Sequence, residues 1–300
     1  MVFGHLIGLA AENPELRVVN VSFWRFAELC AGTETNPRCA FPAPSHSAAE
    51  MIPRALLGIG KYLPHQLNRG VRVVGPPMLH KLMPWLSISP PPAQGWVLGS
   101  EDFLRRIRGR KRVLLAGWSL RDWNLFAKHQ ETIRDFLKPA RRFCAIAGPF
   151  IADIRRRHRT LVGVLIRQGD YRMWEGGKFF LTTEQYGSCL QKLRERFGPD
   201  AALVVSSDEP LPDDAFKQSG FYWCTGRAGA AGHYMESFAE LGLCDYIVSV
   251  PSTFSAWAAF FGRKPLLPIF SADDDLVQTP LLNENLLDAY RHPLFKSAVN

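Results

Sequence analysis

The sequence contains no apolar run long enough to span a bilayer, and it does not start with a charged segment followed by an apolar one. These absences argue against a membrane-spanning protein and against a secretory leader. There is also no Cys-x-x-Cys pair, which argues against a zinc site and a disulfide framework. We therefore expect small core cysteines and, as the simplest compartment, the cytoplasm. The six cysteines are Cys30, Cys39, Cys144, Cys189, Cys224 and Cys244.

Acidic side chains are in the minority, with 28 Asp and Glu residues against 36 Lys and Arg residues. The formal net charge is +8 and the isoelectric point about 9.3. Such a protein is expected to bind an acidic partner, such as nucleotide phosphates, nucleic acid or a membrane surface. The basic runs at residues 105–112 and 155–159 lack interleaved aromatics and known motifs, so no nucleic-acid partner is expected. Each run predicts a solvated face or, alternatively, an anion or peripheral membrane contact.

The overall composition is that of a globular protein. Hydrophobic residues make up 47% and charged residues 21% of the 300 residues, which is enough to bury a sizeable core. This length fits one large domain or two domains of about 150 residues each. We place a boundary near residues 140–150, which divides the chain into residues 1–145 and residues 146–300.

The first of these parts is predicted to mix helices and strands. The segment Met1–Glu12 reads as an amphipathic helix that ends at Asn13-Pro14. Ser100 is predicted to cap a helix that continues to Ile107. The other predicted elements are strands at residues 17–21, 71–74 and 113–116, a helix at 48–57 and a long helix at 121–137.

Strands and helices alternate in the second part. The apolar run Leu161–Ile166 predicts a strand that is buried on both faces. Thr182 and Gln185 form a capping box for a helix that ends at Gly198-Pro199. This alternation predicts a parallel, doubly wound sheet. The other predicted elements are helices at 149–158, 234–243 and 254–261, and strands at 201–205, 246–250 and 266–270.

Polar residues follow three of these strands, namely Arg167–Asp170, Ser206–Asp208 and Ser252–Ser255. In a parallel sheet these strand ends open on one edge, where α/β proteins bind ligands. Ser252 and Thr253 also open a helix, whose free N–H groups can bind an anion. Each feature alone also fits an ordinary turn or helix cap. Together with the arginine, they predict a phosphate site.

Several segments resemble a known family. Val164–Tyr171 resembles the His-x-Arg-Arg-Gly-Asp-Tyr motif of the α-1,2-fucosyltransferases and their relatives in the wider fucosyltransferase superfamily. Leu243–Trp257 is similar to the family's Leu-Cys-Asp followed by Ser-Ser/Thr-Phe-Ser-Trp-Trp. Val204–Asp208 matches its Phe-Ser-Asp-Asp strand end, and Gly117–Asn124 matches its Gly-Tyr-Phe-Gln-Ser-x-x-Tyr segment more weakly. The segments follow the family's order throughout residues 1–265.

The resemblance implies a GT-B-like α/β fold, in which two Rossmann-like domains face each other across a cleft. Residues 1–145 would form the acceptor-side domain and residues 146–300 the GDP-sugar-binding domain. The implied activity is inverting transfer of fucose from GDP-β-L-fucose to a galactose-type hydroxyl, in α-1,2 linkage, without a metal or other cofactor. The implied partners are a GDP-sugar donor and an oligosaccharide or glycan acceptor.

Residue by residue, Arg167 matches the arginine that contacts the donor's β-phosphate, and Thr253 matches a hydroxyl that contacts the same phosphate. A leaving diphosphate does need cations and N–H donors, and a guanidinium suits it better than an ammonium. Asp170, the nearest carboxylate, is predicted to act as the catalytic base or, alternatively, to hold Arg167 in place. The other predicted donor-binding residues are Ser206, Asp208, Glu236, Ser252, Phe254 and Ser255.

The chain also departs from the family pattern. Leu165 replaces the motif's histidine, Gln168 replaces its second arginine, and Ser237 stands where relatives have an aspartate for guanine. The neighbouring Glu236 is expected to substitute for that aspartate. The family's first strand and Gly-Gly-Leu-Gly-Asn-Gln loop would precede Met1, so we expect residues 1–145 to lack them. A Golgi location would require an N-terminal anchor that these residues do not contain.

Two other functions remain open. The first is a metal-dependent glycosyltransferase that uses Asp273 and Asp275 to hold a divalent ion on a diphosphate. The second is a catalytically impaired relative that binds a sugar nucleotide or a glycan without turnover. Tyr171, Trp174 and the Gly176-Gly177 loop are expected to shape an acceptor pocket or, alternatively, only to pack.

Overall fold

A computed structural model describes residues 2–20, 23–36, 39–43, 87–89, 96–108, 113–115, 120–216 and 220–282. The chain divides into two compact units, Met1–Lys138 and Pro139–Asn300. The predicted boundary after residue 145 falls inside a helix, Arg141–Arg155. The predicted helix at 48–57 and strand at 71–74 lie outside the described residues.

Short strand pairs and helices make up the described parts of the first unit. Helix α1 (Val2–Glu12) ends at Asn13, as predicted, and the Asn13 side-chain amide donates to the Leu9 carbonyl at 2.8 Å. A 3₁₀ helix follows at Trp24–Leu29. Strand β1 (Val18–Val19) pairs antiparallel with β2 (Ala40–Phe41). Strand β3 (Ser87–Ser89) pairs parallel with β5 (Val113–Leu115). Strand β4 (Trp96–Val97) pairs parallel with β6 (Leu120–Arg121).

The helices before the unit boundary begin at polar side chains. Ser100 caps α2 (Glu101–Ile107), as predicted, by accepting from the Phe103 N–H at 3.3 Å. The single helix predicted at residues 121–137 is wrong, because two helices follow β6: α3 (Trp123–Lys128) and α4 (Gln130–Leu137). Asp122 sets the start of α3, since its carboxylate accepts from the Asn124 and Leu125 N–H groups at 3.0 and 2.9 Å.

The second unit is built on a five-stranded parallel sheet, which confirms the predicted α/β class. Its strand order is β11 (Leu266–Pro268), β10 (Tyr246–Ser249), β7 (Leu161–Ile166), β8 (Ala202–Ser207) and β9 (Phe221–Trp223). All six residues of β7 are buried, as expected for a central strand with both faces covered. The sequence did not reveal β9, a three-residue edge strand.

Four helices accompany this sheet: α5 (Arg141–Arg155), α6 (Thr183–Phe197), α7 (Tyr234–Leu243) and α8 (Thr253–Gly262). The capping box predicted at Thr182 and Gln185 is confirmed. The prediction that a helix starts at Pro149 is wrong, because α5 begins at Arg141 and continues through that proline. Its buried stripe of Phe143, Ala147, Ile151 and Ile154 runs along both sides of Pro149, and this burial favours one continuous helix.

Five of the six cysteines are buried, as predicted, and Cys144 is exposed. In the part of the chain that the structure describes, no helix has the length and apolar character needed to cross a membrane.

A buried histidine connects α1 to the start of α3. His5 is fully buried, and its Nδ1 lies 3.1 Å from both the N–H and the carbonyl oxygen of Asp122. Its Nε2 has no hydrogen-bond partner among the described residues. The rings of Trp123 and Phe126 lie 4.5 and 4.9 Å from the imidazole. Burial lowers the pKa of His5 to about 3.

We expect acid to destabilise the first unit through His5. Because the folded pKa lies below the ordinary value, the contribution of His5 to stability is complete above about pH 6.5 and is lost as the pH falls toward about 3. The unfolding free energy should fall by about 1.4 kcal/mol per pH unit in this window. Urea unfolding of wild type and His5→Gln, which keeps an acceptor but does not titrate, measures the difference. His158→Gln is the control, and an unchanged slope in His5→Gln would contradict this assignment.

Candidate functional site

The chain order of the strands determines where the sheet can bind a ligand. From β7 the chain moves to β8 and β9 on one side, and then to β10 and β11 on the other. The order therefore reverses between β7 and β10, and ligands of open α/β sheets bind outside the carboxyl ends of the strands at such a switch point. Arg167 directly follows β7, and Pro251 with Ser252 follows β10.

The side chain of Arg167 is held on three sides. One terminal nitrogen donates to Asp170 at 2.7 Å, and the other lies 3.2 Å from a carboxylate oxygen of Asp208. The guanidinium carbon lies 4.8 Å from the centre of the Tyr171 ring. The Nε–H group is buried and has no hydrogen-bond partner among the described residues. This cation is therefore preoriented by its neighbours.

The two carboxylates around Arg167 differ in how readily they can move. The Asp208 side chain is only 18% exposed and also accepts from the Gln168 N–H at 2.8 Å, so it is fixed. The Asp170 side chain is 68% exposed and has its ion pair with Arg167 alone among the described contacts. Two carboxylates against one guanidinium leave a net charge of −1. An anionic ligand is therefore expected to displace Asp170 rather than Asp208.

Tyr171 joins the loops on the two sides of the switch point. Its hydroxyl donates to the Pro251 carbonyl, next to the residue that caps α8. Burial raises the pKa of Tyr171, while the nearby Arg167 opposes the shift. The tyrosine therefore stays a neutral donor at physiological pH. Because the ring also lies beside Arg167, the hydrogen bond brings the guanidinium and the start of α8 into one neighbourhood.

The start of α8 combines buried caps with an exposed threonine. Ser252 is buried and accepts from the Phe254 N–H at 3.2 Å, and the Ser255 hydroxyl donates to the Ser252 carbonyl at 3.0 Å. Thr253 is exposed, and Phe254 is partly buried. The N–H groups of Thr253 and Ser255 belong to the first turn and have no acceptor within the helix. Thr253 and these amides are thus the groups available to an anion, whereas Ser252 and Ser255 support the turn.

The burial of Gln168 gives a physical reason for one difference from the motif that this segment resembles, which has an arginine there. Its side chain is 3% exposed and donates to the Leu181 carbonyl at 2.9 Å. An uncompensated guanidinium would be costly to bury there, whereas a neutral amide is satisfied by the carbonyl. Gln168 therefore positions the loop between β7 and α6, and Arg167 supplies the positive charge.

Two predicted donor-binding residues have internal positions. Ser206 is buried within β8, opposite Leu165 of β7. Glu236 is buried in the first turn of α7, where its carboxylate accepts from the His233 N–H at 3.1 Å and contacts the Thr225 hydroxyl at 2.8 Å. Their roles in donor binding stay predictions. Asp208 lies at the predicted site, where its carboxylate contacts Arg167 and the Gln168 N–H.

The Leu-Cys-Asp segment has a structural role. Asp245 accepts from the Leu161 N–H at 2.9 Å and makes two hydrogen bonds with Arg155, at 3.0 and 3.1 Å. Cys244 is fully buried, and burial raises its pKa far above the usual range. This motif therefore fixes the start of the central strand and the end of α5.

The aromatic residues after Asp170 are largely packed. Trp174 lies between Tyr171 and Phe179, at ring distances of 4.9 and 5.7 Å, and Phe179 is buried in the core. Glu175 and Gly176 follow with positive φ angles of 50° and 67°, which turn the chain sharply. These contacts favour the packing interpretation, whereas a role in an acceptor pocket stays a prediction.

The acidic segment near residue 275 caps turns. Asp274 accepts from the Phe270 and Ser271 N–H groups at 2.6 and 3.1 Å, and Asp275 accepts from the Val277 N–H at 3.1 Å. Within the described ranges, no cluster of three or more His, Cys, Asp or Glu side chains is arranged to hold a metal ion.

The basic runs contain ion pairs with neighbouring carboxylates. In α2, Arg106 pairs with Asp102 and Arg108 with Glu101, both at 3.3 Å. At the end of α5, Arg156 and Arg157 both pair with Asp153. These exposed pairs favour the prediction of solvated faces, and a membrane contact stays a prediction.

No protein-family model and no curated protein matches this chain. Two solved structures show similarity. "Crystal structure of POFUT1 in complex with GDP (crystal-form-III)" is 12% identical with a TM-score of 0.38, over 57% of this chain and 58% of that one. The high-resolution dataset of the same complex is 13% identical with a TM-score of 0.35, over 64% and 72%. The chain thus spans 58% of the first structure's length. Values this low define neither a family nor a function.

Replacing Tyr171 by Phe tests the hydrogen bond between the loop after β7 and the loop after β10. The ring beside Arg167 remains, but the Pro251 carbonyl loses its donor, so the second unit should be destabilised by about 1–3 kcal/mol. Urea unfolding of both proteins measures this loss. Tyr222→Phe, which removes a partly buried hydroxyl bonded to His158, is the matched control. If Tyr171→Phe and Tyr222→Phe both lower the unfolding free energy by the same small amount, the hydrogen bond to Pro251 contributes little to stability.

Proposed function

We propose that the chain binds a nucleoside-diphosphate sugar at the switch point and acts as an inverting glycosyltransferase. The proposed reaction moves fucose from GDP-β-L-fucose to a galactose-type hydroxyl of a glycan, in α-1,2 linkage and without a metal. The supporting observation is the preoriented Arg167, with its buried and unpartnered Nε–H, beside a loop that Tyr171 ties to the start of α8. The GT-B-like arrangement of two Rossmann-like domains belongs to the same proposal.

The proposed chemistry requires stabilisation of a departing diphosphate. Negative charge grows on that group as the sugar–phosphate bond breaks, so fixed donors around it lower the barrier. Arg167 would contribute a charge-assisted fork, and α8 would contribute first-turn N–H groups and the Thr253 hydroxyl. Because Asp208 and Tyr171 already hold Arg167, little side-chain ordering remains when the donor binds.

Asp170 would change partners during this reaction. In the free protein it pairs with Arg167, and its exposed side chain can leave when a phosphate arrives. The released carboxylate would lie next to the reacting groups as a proton acceptor for the acceptor hydroxyl. One residue would thus be a competitor of the donor and the catalytic base.

A second candidate function is binding of a sugar nucleotide without turnover. The observation that favours it is Gln168, a buried neutral residue that leaves Arg167 as the single cation of the motif. This function predicts calorimetric GDP binding with no transfer to any glycan. Release of free fucose or of a fucosylated product would exclude it, and activity that survives a chelator would exclude the metal-dependent reaction.

Removing the Arg167 guanidinium should weaken GDP binding about 10- to 100-fold, because charge-assisted hydrogen bonds of about 1.5–3 kcal/mol are lost. Isothermal calorimetry of wild type and Arg167→Ala with GDP measures this change. Arg172→Ala is the matched control, since Arg172 is an exposed arginine five residues further on whose guanidinium lies over Phe180. GDP binding that is equally tight in Arg167→Ala would show that the phosphate assignment is wrong.

Asp170→Asn should separate the two roles of Asp170. Loss of the competing charge is expected to tighten GDP binding several-fold, whereas loss of the base should reduce transfer by about 100-fold or more. Calorimetry with GDP and a transfer assay with GDP-fucose give the two readings. Weaker GDP binding would mean that Asp170 supports the site, and unchanged transfer would exclude it as the base.

A further inference from the structure

Two buried carboxyl groups meet one hydroxyl group at the end of β9. The Thr225 Oγ1 atom lies 2.8 Å from Oε2 of Glu236 and 2.6 Å from Oε1 of Glu240, both side chains of α7. The Thr225 N–H donates to the other oxygen of Glu240 at 3.0 Å. Glu236 is 7% exposed and Glu240 is 0% exposed. Glu236 is also a predicted donor-binding residue, whereas Thr225 and Glu240 are not.

The number of protons in this cluster is constrained. A threonine hydroxyl has one hydrogen, and ionised carboxylates have none. Two short oxygen–oxygen contacts to the same hydroxyl need two hydrogens, so one carboxyl group must be protonated. Glu236 accepts from the His233 N–H at the start of α7. Glu240 has no solvent contact, and burial raises its pKa. Glu240 therefore holds the second proton.

We propose that Glu240, Thr225 and Glu236 form a proton-dependent latch that fastens the loop after β9 to helix α7. In its closed state the Glu240 carboxyl donates to the Thr225 hydroxyl, which in turn donates to the Glu236 carboxylate. Loss of the Glu240 proton leaves two like charges around a single hydrogen, and the latch opens. All hydrogen bonds of the cluster can therefore form only when Glu240 is protonated.

Few other ionisable groups face this cluster. Cys224 precedes Thr225 and lies beside Glu240, and the Cys244 thiol donates to the Glu240 carbonyl at 3.4 Å. Burial raises the pKa of both thiols, so both stay neutral. Helix α5 contributes Arg142 near His233, and the Arg155–Asp245 pair and Lys264 lie near Cys244. Strands β7 and β8 and helix α8 contain no ionisable side chain. Among the described residues, no cation therefore pairs directly with Glu240.

The loop that the latch holds has little room to relax. A side-chain carbon on Gly226 would lie 2.0 Å from the His233 carbonyl oxygen, and one on Gly232 would lie 2.4 Å from the Thr225 carbonyl oxygen. Because the loop is packed this closely, a displacement of Thr225 should also displace His233 and Tyr234. The Tyr234 ring lies 6.4 Å from that of Phe254 in the first turn of α8. Opening of the latch as the pH rises through the folded pKa of Glu240 should consequently loosen the start of α7 next to α8.

The test uses Glu240→Gln in the full chain. The amide is a neutral copy of the protonated acid, with a donor for the Thr225 hydroxyl and an acceptor for the Thr225 N–H. The raised pKa means that folded Glu240 keeps its proton after the unfolded chain has released it, so its stabilising contribution is lost as the pH rises toward the folded pKa. The unfolding constant of wild type should rise by up to about tenfold per pH unit in this window, and that of Glu240→Gln should stay flatter.

Urea unfolding between about pH 5 and about pH 9 gives the slopes, with Glu195→Gln, an exposed glutamate of α6, as the control. Infrared spectroscopy gives an independent reading, since wild type should show a protonated carboxyl band that disappears as the pH rises through the folded pKa of Glu240 and that Glu240→Gln lacks. Equal slopes in wild type and Glu240→Gln, or no protonated carboxyl band in wild type, would overturn the proposal. If Glu240→Gln fails to fold, the presence or absence of the protonated carboxyl band in wild type still supports or overturns the proposal.

Discussion

The hydrogen bond from the Tyr171 hydroxyl to the Pro251 carbonyl is the contact on which the candidate site depends. It connects the loops that follow β7 and β10, which are neighbours in the sheet although about 80 residues separate them in sequence. The same ring lies beside the Arg167 guanidinium, so the position of that cation is set relative to the start of α8. Burial of the phenol keeps it protonated and preserves the donor.

The two carboxylates beside Arg167 hold its guanidinium in different ways. Asp208 is fixed by a second hydrogen bond from the Gln168 backbone, whereas Asp170 is exposed and attached at one point. The fixed carboxylate orients the guanidinium, and the exposed one occupies the place that the proposed function gives to an incoming anion.

Polar groups inside the second unit are otherwise placed according to burial. Gln168 donates to a carbonyl, Asp245 joins a strand to Arg155, and the Glu236–Thr225–Glu240 cluster satisfies itself through one additional proton. Each arrangement follows from the high cost of an unpaired polar group in the interior. Residues within the segments that resemble family motifs thus have structural roles, and the motif pattern alone does not predict which residues these are.

The sequence by itself determined those elements whose signals are local. The unbroken apolar run of β7, the capping box at Thr182 and the cap at Ser100 predicted a buried strand and two helix starts, and the structure confirms them. The alternation of strands and helices also sufficed for the parallel sheet, since parallel strands need crossover connections, which are usually helices. Local patterns failed at Asp122, which starts a new helix, and at Pro149, which does not, because tertiary contacts decide both.

Only the tertiary structure decided which polar residues meet. Arg167, Asp170 and Asp208 were expected to converge from adjacent strand ends, but the division between a fixed and a movable carboxylate depends on burial. The role of Glu236 toward a nucleoside stays a prediction, and the structure shows Glu236 bonded to His233 and Thr225, next to a Glu240 that no pattern singled out. Spacing along a chain predicts which residues share an edge or a helix face. It does not specify the desolvation that determines how a carboxyl group at that position behaves.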